Sequence, residues 1–227
     1  MRNKLPSIYQ TARKMAVHTD PRSVVAEQYR SIRTNINFAR TEAKIKTILV
    51  TSALKEEGKS TTACNMAIAF TEEGKKVLLV DADMRRPTVH FTFLQNGKVG
   101  LSSLFMGTAT ISEAISETRI AGLDVLPCGP LPSNPAELLG SSRMDQLIEE
   151  LKKQYDVVLF DSPPLLSVTD SRILANKCDG TILVVRAGIS EQVTTARARD
   201  SLHSSKGNLL GVVLNNYRLS KDRVYGH

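Results

Sequence analysis

At 227 residues, 41% apolar and 23% charged, the chain has the size and composition of one globular α/β domain whose core needs no staples. Cys64, Cys128 and Cys178 are isolated and odd in number, which argues against a disulfide framework or a zinc site and reads as small buried hydrophobes. The net charge of +7 comes from the N-terminal segment, because residues 1–46 hold 10 Lys/Arg and 3 Asp/Glu.

Residues 1–20 are polar and basic and read as a mobile arm, and the basic surplus suits nucleic acid, an anionic membrane face or an acidic partner surface. A helix is predicted over 22–40, with Val24, Val25, Gln28, Ile32, Ile36 and Phe38 as its stripe and Thr19-Asp20-Pro21 as its start. Strands are predicted at 45–51, 76–81, 123–127, 156–161, 180–186 and 209–215, and helices at 59–73, 102–106, 110–116, 135–153, 168–176 and 190–205. That alternation predicts an α/β fold, a mostly parallel sheet with helices on both faces and every strand's C-terminal end on one edge. Pro135 opens its helix at the first turn. Residues 217–227 have few apolar anchors and read as a flexible tail, leaving 21–216 as the folded domain. No apolar run reaches the roughly 18 to 20 residues of a membrane span and no secretory signal is evident, so the expected location is cytoplasmic.

Chemistry collects at that sheet edge. Ala53-Leu54-Lys55-Glu56-Glu57-Gly58-Lys59-Ser60-Thr61 stands between an apolar strand and a helix, as a phosphate loop does. In such a loop backbone N–H groups surround the anion, the lysine reaches the outer phosphates and the hydroxyl holds magnesium. Gly58, Lys59, Ser60 and Thr61 have those positions, while Ala53 replaces the usual first glycine. Val77-Leu78-Leu79-Val80 runs into Asp81 and Asp83, and Val157-Val158-Leu159-Phe160 runs into Asp161. Carboxylates at strand ends beside a phosphate loop suit a magnesium site, and a cation would relieve the repulsion between Asp81 and Asp83. Arg85 and Arg86 follow at the same edge as candidates to neutralise phosphate.

The set A-x-x-x-x-G-K-S-T, L-L-V-D-A-D-M-R-R-P and V-V-L-F-D-S-P-P resembles the Walker A, A′ and B elements of the bacterial tyrosine kinases of capsule and exopolysaccharide operons. Glu27-Gln28-Tyr29-Arg30-Ser31-Ile32-Arg33 is similar to that family's E-x-x-R-x-x-R helix, and Gly129 to Leu139 to its G-x-x-P-x-N-P-x-E-L-L stretch. The resemblance runs from about residue 20 to 216. It implies a P-loop enzyme that transfers the γ-phosphoryl of ATP, with Mg2+, to tyrosines near its own C-terminus within a ring-shaped homo-oligomer. A transmembrane activator with a cytoplasmic tail would switch it on and recruit it to the inner face of the membrane; no nucleic acid partner is expected. By the same resemblance Lys59 and Ser60 hold phosphates and metal, Asp83 and Asp161 order the metal shell, Asp81 faces the tyrosine hydroxyl, and Glu27, Arg30 and Arg33 form the subunit interface. An aspartate near pKa 4 lies about six units below a phenol, so Asp81 is expected chiefly to orient that hydroxyl. Asn215 ends the last strand where related ATPases often meet adenine, and Tyr225 is the expected phosphoacceptor, Tyr217 being expected to pack.

The sequence departs from the family twice: Lys55-Glu56 stands where a Pro-Gly is common, and the tail is thin in tyrosines. The competing reading is a spatial-positioning ATPase of the partitioning and septum-placement type, whose signature lysine position is Leu54 here. A subunit that binds nucleotide without catalysis is opposed by the retention of Lys59, Ser60, Asp81, Asp83 and Asp161 together, and an iron-sulfur ATPase by the unpaired cysteines.

Overall fold

A parallel strand covered on both faces is apolar throughout, and β1 (Thr47–Ser52), β2 (Val77–Asp81) and β5 (Val157–Asp161) are buried at every residue and form the centre of the sheet. The computed structural model, which describes residues 12–39 and 45–217, adds β3 (Ser116–Glu117), β4 (Leu123–Leu126), β6 (Gly180–Arg186) and β7 (Leu209–Asn215). The order is β3-β4-β2-β5-β1-β6-β7, parallel except for β3 against β4. The six strands read from the sequence are present, with ends shifted by no more than two residues. The two-residue β3 was not expected, being too short for an alternating pattern.

Alternation along the strands divides the core into two layers. Leu49, Leu78, Val80, Val158 and Phe160 face one layer, and Ile48, Val50, Leu79 and Leu159 the other. Against the second lie α1 (Ala16–Thr19), α2 (Val24–Phe38), α3 (Lys59–Thr71) and α4 (Val89–Thr92). Against the first lie α5 (Leu101–Met106), α6 (Ile111–Ala114), α7 (Pro135–Gly140), α8 (Ser142–Gln154), α9 (Asp170–Lys177) and α10 (Gln192–Ser204). The phosphate-loop helix α3 is sandwiched between the sheet and α2, so it is buried nearly all round from Ser60 to Phe70.

Four expectations are corrected. The first helix starts later than expected, because Ser23 Oγ accepts from Ala26 N (3.2 Å) and caps α2. Its buried face is Ala26, Tyr29 and Ile36, while Val24, Val25 and Phe38 are exposed. Arg33 lies on the inward side at helical spacing, and a charge there concealed the stripe from sequence reading. The helix expected over 135–153 breaks at Ser141, which is extended (φ −71°, ψ 157°) between α7 and α8. Within the expected arm, residues 1–11 lie outside the described residues, but Ala16 and Val17 are buried and 13–19 dock on the domain. Tyr217 is 54% exposed rather than packed, and the rest of the tail lies outside the described residues. The three cysteines are buried and free, as expected.

Candidate active site

β1 delivers the chain to the loop at Ala53, and α3 begins at Lys59. Gly58 has φ +97°, and a Cβ there would stand 1.8 Å from Asn215 Nδ2, so both conformation and space demand glycine. Asn215 Nδ2 donates to Glu57 O (2.9 Å) while its Oδ1 accepts from Asn216 N (2.9 Å). Both ends of that amide therefore serve the loop and its own turn, which fixes the side chain beside the loop with one N–H and one lone pair left over. Glu57 is buried: Oε2 accepts from Leu54 N (2.7 Å) and Oε1 from the Ser190 hydroxyl. Arg186 Nη1 donates to Glu56 O (3.1 Å). The strands β6 and β7 thus brace the loop from the side.

The expected carboxylates converge on Lys59. Its Nζ donates to Asp83 Oδ2 (3.0 Å) and Ser60 Oγ (3.2 Å) and lies 3.9 Å from Asp161 Oδ1. Asp81 and Asp161 are abreast on the paired strands β2 and β5. Asp83 Oδ1 accepts from Arg86 N (3.0 Å), and Asp81 Oδ2 accepts from Thr88 N and Val89 N, each at 2.9 Å. Asp81 Oδ1 and both carboxylate oxygens of Asp161 are buried without a hydrogen-bond partner.

Burial, then the neighbouring Asp161 charge, raises the Asp81 pKa to about 8 against the opposing Val89 and Thr88 amides. Burial also raises Asp161, with Lys59 pulling the other way. At Lys59 burial opposes the charge, but Asp161 and Asp83 outweigh it and hold the ammonium pKa above its ordinary value. Unpartnered buried carboxylate oxygens beside a phosphate loop fit a hydrated magnesium ion. No group of three or more His, Cys, Asp or Glu suited to a metal occurs among the described residues. Mg2+ needs no such cage, since it takes one or two protein oxygens and completes its shell with water and phosphate. Ser60, Asp83 and Asp161 are the residues that would hold it.

Above these groups opens a cleft of about 910 Å3 whose walls include Arg13, Lys55, Lys59, Thr61, Arg86 and Pro164. Asp81 and Asp161 are not part of that wall. Asp81 is fully buried, drawn in by the Thr88 and Val89 amides, so it does not stand open to an incoming hydroxyl as expected. Arg85 also differs from expectation. Its guanidinium grips the fully buried Asp170 at 2.9 and 3.0 Å, tying β2's exit to the start of α9, while the side chain still lines the cleft. Sequence reasoning missed Arg13, Glu57, Asp170, Arg186 and Ser190, since no local pattern announces partners separated by 75 to 133 residues.

Glu27, Arg30 and Arg33 lie on α2, away from the cleft. Arg30 forks onto Glu72 through Nε and Nη2, both 2.8 Å, and reaches Glu27 at 3.1 Å. Arg33 donates Nη1 to Ala69 O (2.6 Å) and pairs with Glu73 at 2.8 Å. Within one chain, therefore, both arginines bind the C-terminal end of α3.

Residues 26–191 match the AAA domain family. The chain is 46% identical over 215 residues to Tyrosine-protein kinase YwqD of Bacillus subtilis (strain 168), covering 95% of this chain and 91% of that one. Among solved structures it is similar to the kinase domain of Escherichia coli tyrosine kinase ETK, with a TM-score of 0.87 and 30% identity over 96% of this chain and 86% of that one. The septum site-determining protein MinD complexed with Mg-ADP, from Pyrococcus horikoshii OT3, is more distant, with a TM-score of 0.65 and 26% identity over 78% and 72%.

Proposed function

The chain belongs to the bacterial protein-tyrosine kinases, and from that premise we propose that it transfers the γ-phosphoryl of ATP, with Mg2+, to tyrosine hydroxyls, including Tyr225 of its own tail. The observation that carries this reading is the Gly58-Lys59-Ser60 loop set against three strand-end aspartates, two of them with unpartnered buried oxygens. Lys59 holds the outer phosphates, sharing an ammonium now bonded to Asp83. Ser60, Asp83 and Asp161 would hold the metal, which would supply positive charge against the transferring group.

Asp81 addresses the acceptor hydroxyl through Oδ1, its free oxygen. Its role there is to orient that hydroxyl, since in a loose phosphoryl-transfer transition state the nucleophile needs little early deprotonation. The Thr88 and Val89 amides hold the other oxygen, Oδ2, and so fix the direction in which Oδ1 points. The half-exposed Tyr217 joins Tyr225 as a candidate acceptor.

Among the described residues no helix is long and apolar enough to cross a membrane. The reading includes a membrane partner whose cytoplasmic tail activates the chain. The service performed is control of capsule or exopolysaccharide synthesis, with the α2 face that carries Glu27 and Arg30 as a contact in a ring of subunits and Arg33 holding that face to α3. Intact-mass and peptide mapping after incubation with ATP and Mg2+, alone and with the partner's tail fused, tests the core of it. Phosphate on Tyr225 or Tyr217, lost in Lys59→Met and strongly reduced in Asp81→Asn, is the expected result. Hydrolysis of ATP with no protein phosphorylation in either form would instead indicate a positioning ATPase.

A further inference from the structure

The segment ahead of α1 is fastened to the active-site helices by its backbone. Arg13 N donates to Thr92 Oγ1 (3.0 Å), Val17 N to Asn65 Oδ1 (3.1 Å), and Asn65 Nδ2 to Lys14 O (2.8 Å). Asn65 is buried on α3, and its Nδ2 also donates to Thr61 O (2.8 Å), so the segment is tied through Asn65 to the last residue of the phosphate loop.

From this anchor the Arg13 side chain enters the cleft wall shared by Lys59, Ser60, Asp83 and Thr88. Its guanidinium is largely unspent there. Nη2 makes one long contact with Thr88 Oγ1 (3.5 Å), and Nε is buried with no partner. The cleft carboxylates Asp83 and Asp161 pair with Lys59 instead. Two of the other arginines in that wall differ, since Arg85 is bound to Asp170 and Arg186 to the Glu56 carbonyl, while Arg86 shares the wall as a further cation, set there through its backbone bond to Asp83. A fixed, partly desolvated guanidinium with free donors, inside a cleft built on a phosphate loop, is matched to a phosphoryl group by charge and by its planar fork.

We propose that Arg13 is a substrate-binding residue, which takes the terminal phosphoryl group of the nucleotide from the Thr88 side of the cleft and stabilises the charge on its oxygens during transfer. The assignment rests on the reading of the cleft as an ATP site. It makes the N-terminal segment a working part of the catalytic centre, delivered in cis.

Because the contact is to the terminal phosphoryl, ATP and ADP separate it from a structural role. Binding of Mg-ATP and Mg-ADP to the full chain is titrated for wild type, Arg13→Gln and Arg13→Lys, with the rate of tyrosine phosphorylation alongside. Arg13→Gln is expected to weaken ATP by about tenfold while ADP changes less than about twofold, with slower transfer and partial recovery in Arg13→Lys. Equal loss for ATP and ADP would make Arg13 a structural residue, and unchanged ATP affinity and rate would remove it from the site; either overturns the proposal. Failure of the wild-type chain to bind ADP would be a different failure, that of the nucleotide-site reading, and would take this inference with it.

Discussion

Glu56 occupies a backbone conformation that glycine would adopt without strain. Its φ is +63°, in the left-handed region, at the place where kinases of this type commonly have the glycine of a Pro-Gly pair. A side chain there costs about 1–2 kcal/mol, part of which the Arg186 bond to its carbonyl offsets. Replacement by glycine removes that strain but gives the unfolded chain more freedom, which returns about 0.5–1 kcal/mol. Glu56→Gly is therefore expected to raise stability by up to about 1 kcal/mol in urea unfolding, without altering the unfolding slope. A clear loss of stability would mean that the Glu56 side chain contributes more than its backbone costs. The lysine and glutamate are visible in the sequence as a departure from pattern, but the sign of φ is not, because it depends on Asn215 and Arg186 from the far strands pressing on the loop.

The end of the sheet opposite the phosphates is held by one carboxylate. Asp179, between α9 and β6, accepts from Lys46 N (2.9 Å) and Thr47 N (2.8 Å), and its own N donates to Thr47 Oγ1 (2.8 Å). Asn208 Nδ2 donates to Asp179 O (2.8 Å), so the starts of β1, β6 and β7 meet there. Burial opposes the charge, but the two amides, the Thr47 hydroxyl and Lys152 prevail and lower the Asp179 pKa. A folded-state pKa below the unfolded value of about 4 stabilises the fold above that pH, and the contribution fades as pH falls through the folded value. Asp179→Asn is expected to cost roughly 1–3 kcal/mol at pH 7, with the gap to wild type narrowing below about pH 4. A gap that persisted in acid would assign the loss to geometry rather than charge. At this scale the sequence was most legible, because strands buried on both faces are unbroken apolar runs and Gly58, Lys59 and the aspartates fall at their ends by simple counting. What escaped it depended on contact across the fold: the break at Ser141, the inward face of α2, and the partners Glu57–Ser190 and Arg85–Asp170.

For the whole molecule, the question is whether α2 has contacts to spare for another subunit. Val24, Val25 and Phe38 leave apolar surface on its open side, which suits an interface, yet the arginines expected there are occupied within the chain. The two are occupied differently. Arg33 is 14% exposed in its side chain and donates to the carbonyl of Ala69 near the end of α3, a bond that supports the phosphate-loop helix. Arg30 is 25% exposed and binds only the partly exposed carboxylates of Glu72 and Glu27, ion pairs of a kind worth about 0–1 kcal/mol. Arg30 can therefore exchange Glu72 for an acidic group on a neighbour at little cost, whereas Arg33 cannot leave without uncovering the helix end. Arg30→Ala is expected to reduce assembly in sedimentation velocity while changing monomer stability by less than about 1 kcal/mol. Arg33→Ala is expected to lower monomer stability by roughly 1–3 kcal/mol, with any loss of assembly following from that. Assembly that survived Arg30→Ala unchanged would move the interface off this arginine and onto the apolar residues of α2, where Phe38→Ser would then carry the effect. The division of labour follows from burial alone: the more enclosed arginine maintains the fold, and the more exposed one is free to change partners.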